Sequence, residues 1–152
     1  SAKEQTQAWD AIKAQEKNSK DSRNTFGDIP SSLPPILKAK KIQKKASKKG
    51  FDWKESIGVI EKVEEELKEL KLEIQKNNKE NIKDELGDLL FSIINLSRHL
   101  DIDASEAINQ ANHKFVKRFR LMEKEISKDN QEIDNLTSDE LEEFWVKIKS
   151  HE

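Results

Sequence analysis

Ile60, Val63, Leu67, Leu70 and Ile74 recur at spacings of three, four, three and four. Only an α-helix brings such positions onto one side of a backbone, so the segment from about Lys54 to Lys76 is expected to be one long helix with a single core-facing stripe. No segment of any length alternates apolar and polar residues as a strand would. The chain is therefore expected to be all-α, a helical bundle.

Four glycines and three prolines punctuate the sequence, and they fall where helices should begin or end. A first helix is expected from about Lys3 to Lys17, carrying Trp9 and Ile12, followed by an aperiodic polar stretch from Asn18 to Ser32. Pro34 and Pro35 suit the first turn of a second helix, which Gly50 should cap. Its many lysines, Lys38 through Lys49, read best as a solvated face. After the long third helix and a polar turn at Asn77 and Asn78, a fourth is expected from about Glu80 to Leu100. With Leu86, Leu89, Leu90, Phe91, Ile93, Ile94 and Leu96 it should be central to the bundle. Asp103 and Glu106 resemble a capping box opening a fifth helix, whose inner face would be Ala107, Ile108, Ala111, Phe115, Phe119, Met122 and Ile126. Thr137 and Glu140 repeat that signal before a short last helix bearing Leu141, Phe144, Trp145 and Ile148. The expected division is residues 1–32 as helix and linker and residues 33–152 as one functional domain.

Lys plus Arg (28) nearly cancels Asp plus Glu (30), and the net charge of -2 offers no global attraction for nucleic acid or a membrane surface. Charged residues make up 38% and hydrophobic ones 34%, a thin core for 152 residues. Helices that cannot cover their stripes within one chain can do so by pairing, so a homodimer is expected to complete the bundle. The absence of cysteine excludes disulfides, thiolate metal sites and cysteine nucleophiles, and agrees with a cytoplasmic protein. No apolar run approaches the roughly 20 residues of a membrane span, and no signal-peptide pattern opens the chain. The opening Ser1-Ala2 is compatible with a piece of a longer protein.

The chemistry should sit on the third and fourth helices. Glu65, Glu66 and Glu69 occupy an arc about 100° wide, with Glu66 nearest the apolar stripe. On a solvated helix this would mean little. On the fourth helix, however, Glu85 and Asp88 begin a polar line that continues through Ser92, Asn95 and His99 down an otherwise apolar surface. Buried polar groups must be paired, hydrogen-bonded or bound to a cation. Two carboxylates about 4 Å apart repel by roughly 4 kcal/mol at an effective dielectric of 20. A hard divalent cation, Mg²⁺ with Mn²⁺ as a substitute, turns that repulsion into affinity. On the fifth helix Lys114 and Arg118 lie one turn apart beside Phe115 and Phe119, where a phosphate chain could be held.

Glu65-Glu66-Leu67-Lys68-Glu69 followed by Glu85-Leu86-Gly87-Asp88 resembles the paired acidic motifs of the MazG-type pyrophosphohydrolases. The flanking strings are also similar: Gly50-Phe51-Asp52-Trp53, Gly87-Asp88-Leu89-Leu90-Phe91, Asn95-Leu96-Ser97-Arg98-His99-Leu100 and Asn112-His113-Lys114-Phe115-Val116-Lys117-Arg118-Phe119. They look like the C-terminal catalytic domain of that family, from about Leu33 to Ile148. The resemblance implies metal binding at Glu66, Glu69, Glu85 and Asp88, with Glu65 binding metal or positioning the attacking water. It further implies substrate contacts from Lys114, Arg118, Asn95, Asn112 and Trp145, and a stretch before the domain that resembles the connector of a tandem protein.

The implied reaction is hydrolysis of a nucleoside triphosphate to monophosphate and pyrophosphate, of the kind that cleanses nucleotide pools. A di-iron carboxylate bundle would need a glutamate three residues before a histidine, twice; Leu96, Gln110 and Ile148 stand there instead. The alternative from another class is a non-catalytic helical interaction module whose acidic residues are merely solvated.

Overall fold

The computed structural model describes residues 1–19 and 24–152, so the expected polar stretch from Asn18 to Ser32 lies partly outside the described residues. Six α-helices and no strand are present among the described residues: α1 (Ala2–Ser19), α2 (Pro35–Lys48), α3 (Ser56–Lys76), α4 (Lys79–His99), α5 (Ala104–Lys128) and α6 (Ser138–Ser150), with a 3₁₀ turn at Ile133–Asn135. None of these helices is long and apolar enough to cross a membrane. The chain divides into two compact units, Ser1–Ala104 and Ser105–Glu152.

In the first unit, α3 and α4 form an antiparallel hairpin. Asn77 takes the left-handed conformation (φ 56°) that closes α3, and the Asn78 side chain accepts from Asn81 N at 3.2 Å to open α4. Asparagine tolerates left-handed backbone and caps helix starts with its side-chain oxygen, so two adjacent asparagines make the whole turn. α2 meets α4 through Gln43, whose Nε2 donates to the Phe91 carbonyl oxygen at 2.9 Å. α2 ends in a Schellman motif: Gly50 N donates to Ser47 O, Phe51 N donates to Ala46 O, and Gly50 has φ 89°. This turn launches the Phe51-Asp52-Trp53 segment, and α3 begins only at Ser56, two residues later than expected.

Burial in this unit departs from the expectation for α4. The residues of α4 sealed from solvent are Ser92 and Asn95, while Leu86, Leu90, Phe91 and Ile93 are all more than two-fifths exposed. Apolar periodicity identifies a common face but not what covers it. In the single chain α3 covers the polar strip, because its own carboxylate Glu66 is buried there together with Val59 and Leu70. The α3 stripe is correspondingly incomplete, with Leu67 and Ile74 exposed, and Trp9 and Ile12 of α1 are exposed as well.

The second unit has its own core. Met122 and Ile126 of α5 and Ile148 of α6 are buried, with Phe119, Ile133, Leu136, Leu141, Phe144 and Trp145 packed against them. The N-terminal part of the expected α5 face stays open: Ile108 and Phe115 are about half exposed. α6 opens with the expected capping box, Glu140 N to Thr137 Oγ1 at 3.2 Å and Thr137 N to Glu140 Oε1 at 3.1 Å.

Because a side chain at φ 89° is strained, Gly50→Ala should destabilise the chain by about 1–2 kcal/mol. Urea unfolding followed by circular dichroism checks this; an unchanged midpoint would show that the α2 terminus carries no such constraint.

Candidate metal and phosphate site

Three contacts set the register of the α3–α4 hairpin. Asn81 Nδ2 donates to Glu73 Oε2 near the turn, Glu85 faces Glu66 and Glu69 in the middle, and Asp52, just before α3, meets Arg98 and His99 at the far end. The fall of one number as the other rises is the signature of an antiparallel pair.

At the centre of that seam, carboxylate oxygens of Glu66, Glu85 and Asp88 all lie within 4.8 Å of one another. Glu66 is 5% exposed, Glu85 is half-buried and Asp88 stands at the open rim. Glu66 Oε2 and Glu85 Oε2 are buried without a hydrogen-bond partner. Desolvation, the charge of Glu69 and the prospect of sharing a proton with Glu66 push Glu85 up to about 7. Desolvation and the charges of Asp84 and Glu66 also raise Asp88.

Lys62 is the one cation that reaches this seam among the described residues for which ion pairs are seen, with Nζ 3.0 Å from Glu66 Oε1 and 3.6 Å from a Glu65 oxygen. Its bond to Glu66 raises the lysine further. Of the five acidic candidates, then, Glu66, Glu85 and Asp88 are brought together and Glu69 stands beside Glu85. Glu65 lies outside the trio, its side chain 56% exposed and paired with Lys62. Lys62 was not among the residues singled out from the sequence, although its position four residues before Glu66 is the spacing of a helical ion pair.

The polar line of α4 continues as a bonded chain. Ser92 Oγ donates to the Asp88 carbonyl oxygen at 2.8 Å. Asn95 Oδ1 accepts from both Arg98 Nε (3.0 Å) and Arg98 Nη2 (2.9 Å). Arg98 Nη2 and His99 Nε2 each approach Asp52 Oδ1 at 2.7 Å. Burial works against the Asp52 charge, but the bonds to Arg98 and His99 outweigh it and hold the carboxyl below its usual range. Asp52 and Arg98 carried no functional weight in the sequence, where 46 positions separate them.

In the second unit, Arg118 gives Nε to Glu152 Oε1 at 2.6 Å and Nη2 to the other carboxylate oxygen, a two-pronged pair that raises the arginine and lowers the glutamate. Asn112 and Lys114 are exposed on the same helix. Trp145 rests against Phe115 with ring centroids 5.1 Å apart, beside a groove of about 360 Å³ lined also by Phe119, Met122 and Leu141.

The span that holds the acidic seam and its flanks also matches a known family. The MazG nucleotide pyrophosphohydrolase domain pattern matches residues 43–121. The nucleoside triphosphate pyrophosphohydrolase/pyrophosphatase MazG of Thermotoga maritima is 47% identical over 141 residues, covering 93% of this chain and 54% of that protein. The nucleoside triphosphate pyrophosphohydrolase of Escherichia coli K12 is 37% identical over 146 residues, covering 95% of this chain and 56% of that protein. The uncharacterized protein YabN of Bacillus subtilis is 37% identical over 145 residues, 29% of its length. The chain thus spans about half the length of the first two relatives. With the family pattern running over half of its residues, from α2 through α5, this chain belongs to the MazG nucleotide pyrophosphohydrolase family.

Proposed function

We propose that this chain is the catalytic module of a Mg²⁺-dependent nucleoside triphosphate pyrophosphohydrolase, converting NTPs or dNTPs to the monophosphate and pyrophosphate in the cytoplasmic nucleotide pool. The observation that carries the reading is that Glu66 and Glu85 each keep a buried, unpartnered carboxylate oxygen, and that these two residues and Asp88 bring carboxylate oxygens within 4.8 Å of one another. Carboxylates so placed destabilise one another unless a cation joins them, and an all-oxygen donor set suits Mg²⁺ or Mn²⁺. Glu66, Glu69, Glu85 and Asp88 are the residues we assign to it. The functional division we infer is residues 1–32 as helix and connector and 33–152 as the catalytic domain.

When bound, a divalent cation supplies positive charge to phosphate oxygens and lowers the pKa of water at the site. Glu65, half exposed beside the cluster, is our candidate to orient and deprotonate the water that attacks the α-phosphorus. Lys114 and Arg118 offset the charge that gathers on departing pyrophosphate, and Arg118 must exchange Glu152 for phosphate oxygens to do so. Asn112 and Trp145 are assigned to substrate contact, the latter from the aromatic wall it makes with Phe115. The apolar residues left open on α4, Leu86, Leu90, Phe91 and Ile93, are assigned to a second copy of the chain. Sedimentation at micromolar concentration should then report about twice 17.6 kDa; a single protomer at all concentrations would refute the dimer and leave the chemistry standing.

In ¹⁸O-labelled water the first products should be monophosphate and pyrophosphate, with the label in the monophosphate. Orthophosphate as first product, or label in pyrophosphate, would overturn the assigned register. Glu69→Gln and Asp88→Asn should each lower turnover by roughly two orders of magnitude, since each removes a charge that stabilises the reacting phosphate through the cation. Full activity in both would return the seam to a solvated helix face and favour an interaction module.

Metal-free protein offers an independent check. A carboxyl at about 7 when folded and 4.5 when unfolded holds a proton in the folded state that the unfolded state has lost, so stability falls as pH rises through this window. The melting temperature of the wild type relative to Glu85→Gln should therefore decline between those pH values and recover on adding Mg²⁺. A constant difference would mean that Glu85 is not under this repulsion.

A further inference from the structure

Asn95 is 6% exposed, and its side-chain orientation is decided by chemistry rather than by fit. Arg98 directs two N–H groups at one atom of that amide, Nε at 3.0 Å and Nη2 at 2.9 Å. A guanidinium has donors only, so the atom it faces must be the amide oxygen. Asp52 completes the arrangement, taking Arg98 Nη2 on Oδ1 at 2.7 Å and, on the same oxygen, meeting His99 Nε2 at 2.7 Å. Asp52 itself is held by the turn at Gly50 and bonds the Trp53 amide through Oδ1 at 2.9 Å.

The amide nitrogen of Asn95 is left over. It donates no hydrogen bond among the described residues, and it is not one of the polar atoms sealed from solvent without a partner, which are Gln43 Oε1, Glu66 Oε2 and Glu85 Oε2. A buried side chain thus keeps one polar end open and uncommitted. Asn95 lies seven residues beyond Asp88 on the same strip of α4, roughly 10 Å along the helix. A nucleotide whose phosphates sit at the carboxylate seam and which lies along this strip would bring its nucleoside part to Asn95.

We propose that Asp52, acting through Arg98, is a positioning residue that locks Asn95 with its oxygen inward, so that this position offers the nucleoside part of the substrate a hydrogen-bond donor and never an acceptor. The inference rests on the pyrophosphohydrolase reading and deepens it. The substrate group recognised is a lone pair: a base carbonyl or ring nitrogen, or a sugar oxygen. A substrate group that is itself a donor at this position meets an N–H and is disfavoured, because the amide cannot turn without breaking both bonds to Arg98.

Asn95→Asp tests the donor, since the carboxylate keeps both bonds from Arg98 and puts an anionic acceptor oxygen where the N–H₂ stood. With the four ribo- and four deoxyribonucleoside triphosphates as probes, KM should rise about tenfold for the preferred substrate while kcat changes little. A rise of the same factor for every base assigns the contact to the sugar, and a base-dependent rise assigns it to the base. Inhibition by inorganic tripolyphosphate should stay within about twofold of wild type, since that probe has no nucleoside to lose the bond. Asp52→Ala should raise KM in wild-type background and add nothing in the Asn95→Asp background, a coupling that a merely structural role would not produce. Asp52→Asn, which keeps an acceptor for Arg98, should recover much of the loss. An unmoved KM in Asn95→Asp, an equal loss of tripolyphosphate inhibition, or an Asp52→Ala effect undiminished in the double variant would overturn the inference. A wild type that turns over no nucleoside triphosphate would instead refute the proposed function on which it stands.

Discussion

Like charges gathered between two helices are the constraint around which the first unit is arranged. Glu66 and Glu85 face each other across α3 and α4 with Glu69 and Asp88 alongside, and among the described residues the ammonium paired with them is Lys62. One cation against four carboxylates leaves the seam strongly negative. Lys62 and Glu66 both lie on α3, so their pair relieves part of this charge without fixing where α4 sits against it. The hairpin therefore depends on its ends: the asparagine turn at one and the Asp52 clamp on Arg98 and His99 at the other.

That arrangement explains an inversion of the usual rule for burial. Polar Ser92 and Asn95 are covered while Leu90 and Ile93 of the same helix are open to solvent. Burying a polar side chain is tolerable only with partners, and these have them: Ser92 bonds the Asp88 carbonyl oxygen, and Asn95 takes two bonds from Arg98. Within the described part of the first unit, α3 packs on the polar side of α4 and α2 reaches α4 through Gln43, and Leu86, Leu90, Phe91 and Ile93 are left open. A helix with both of its faces specialised in this way is suited to a ligand on one and another apolar surface on the other.

What was legible in the sequence was local. The Thr137–Glu140 capping box, the Asn77–Asn78 turn and the glycine after α2 are each written within four residues, and each appears as expected. The polar strip on α4 was legible because helical periodicity fixes which residues share a line. Periodicity could not say which line the rest of the chain would cover, so Leu86, Leu90, Phe91 and Ile93 of α4 were expected inside and stand outside, while Leu89, Ile94 and Leu96 are partly buried. It did set Glu66 nearest the apolar stripe among the three glutamates that share one arc of α3, but it could not say which of them would meet the carboxylates of α4. Only the angle at which α4 packs decides that Glu66 is buried and that Glu65 is left to solvent and Lys62. The Asp52–Arg98 clamp was invisible for a different reason: no rule of spacing connects a loop residue with a helix residue 46 positions away.

The ionic state of the seam follows from what can relieve it. Lys62 neutralises one carboxylate and, held by Glu66, does not titrate away, because the same bond that steadies Glu66 makes the ammonium harder to deprotonate. The remaining excess of negative charge has two outlets. A proton is one, and Glu85 accepts it at about 7 because burial and Glu69 both penalise its anion. A divalent cation is the other, and it competes for the same oxygens. On the proposed reading, proton and cation would be mutually exclusive occupants of one site, and cation affinity would rise as Glu85 deprotonates. On the proposed reading the consequence would reach beyond the seam itself: the half-buried glutamate whose charge opposes the fold near neutral pH would be the one that holds the cation, and binding would recover the stability that its charge costs.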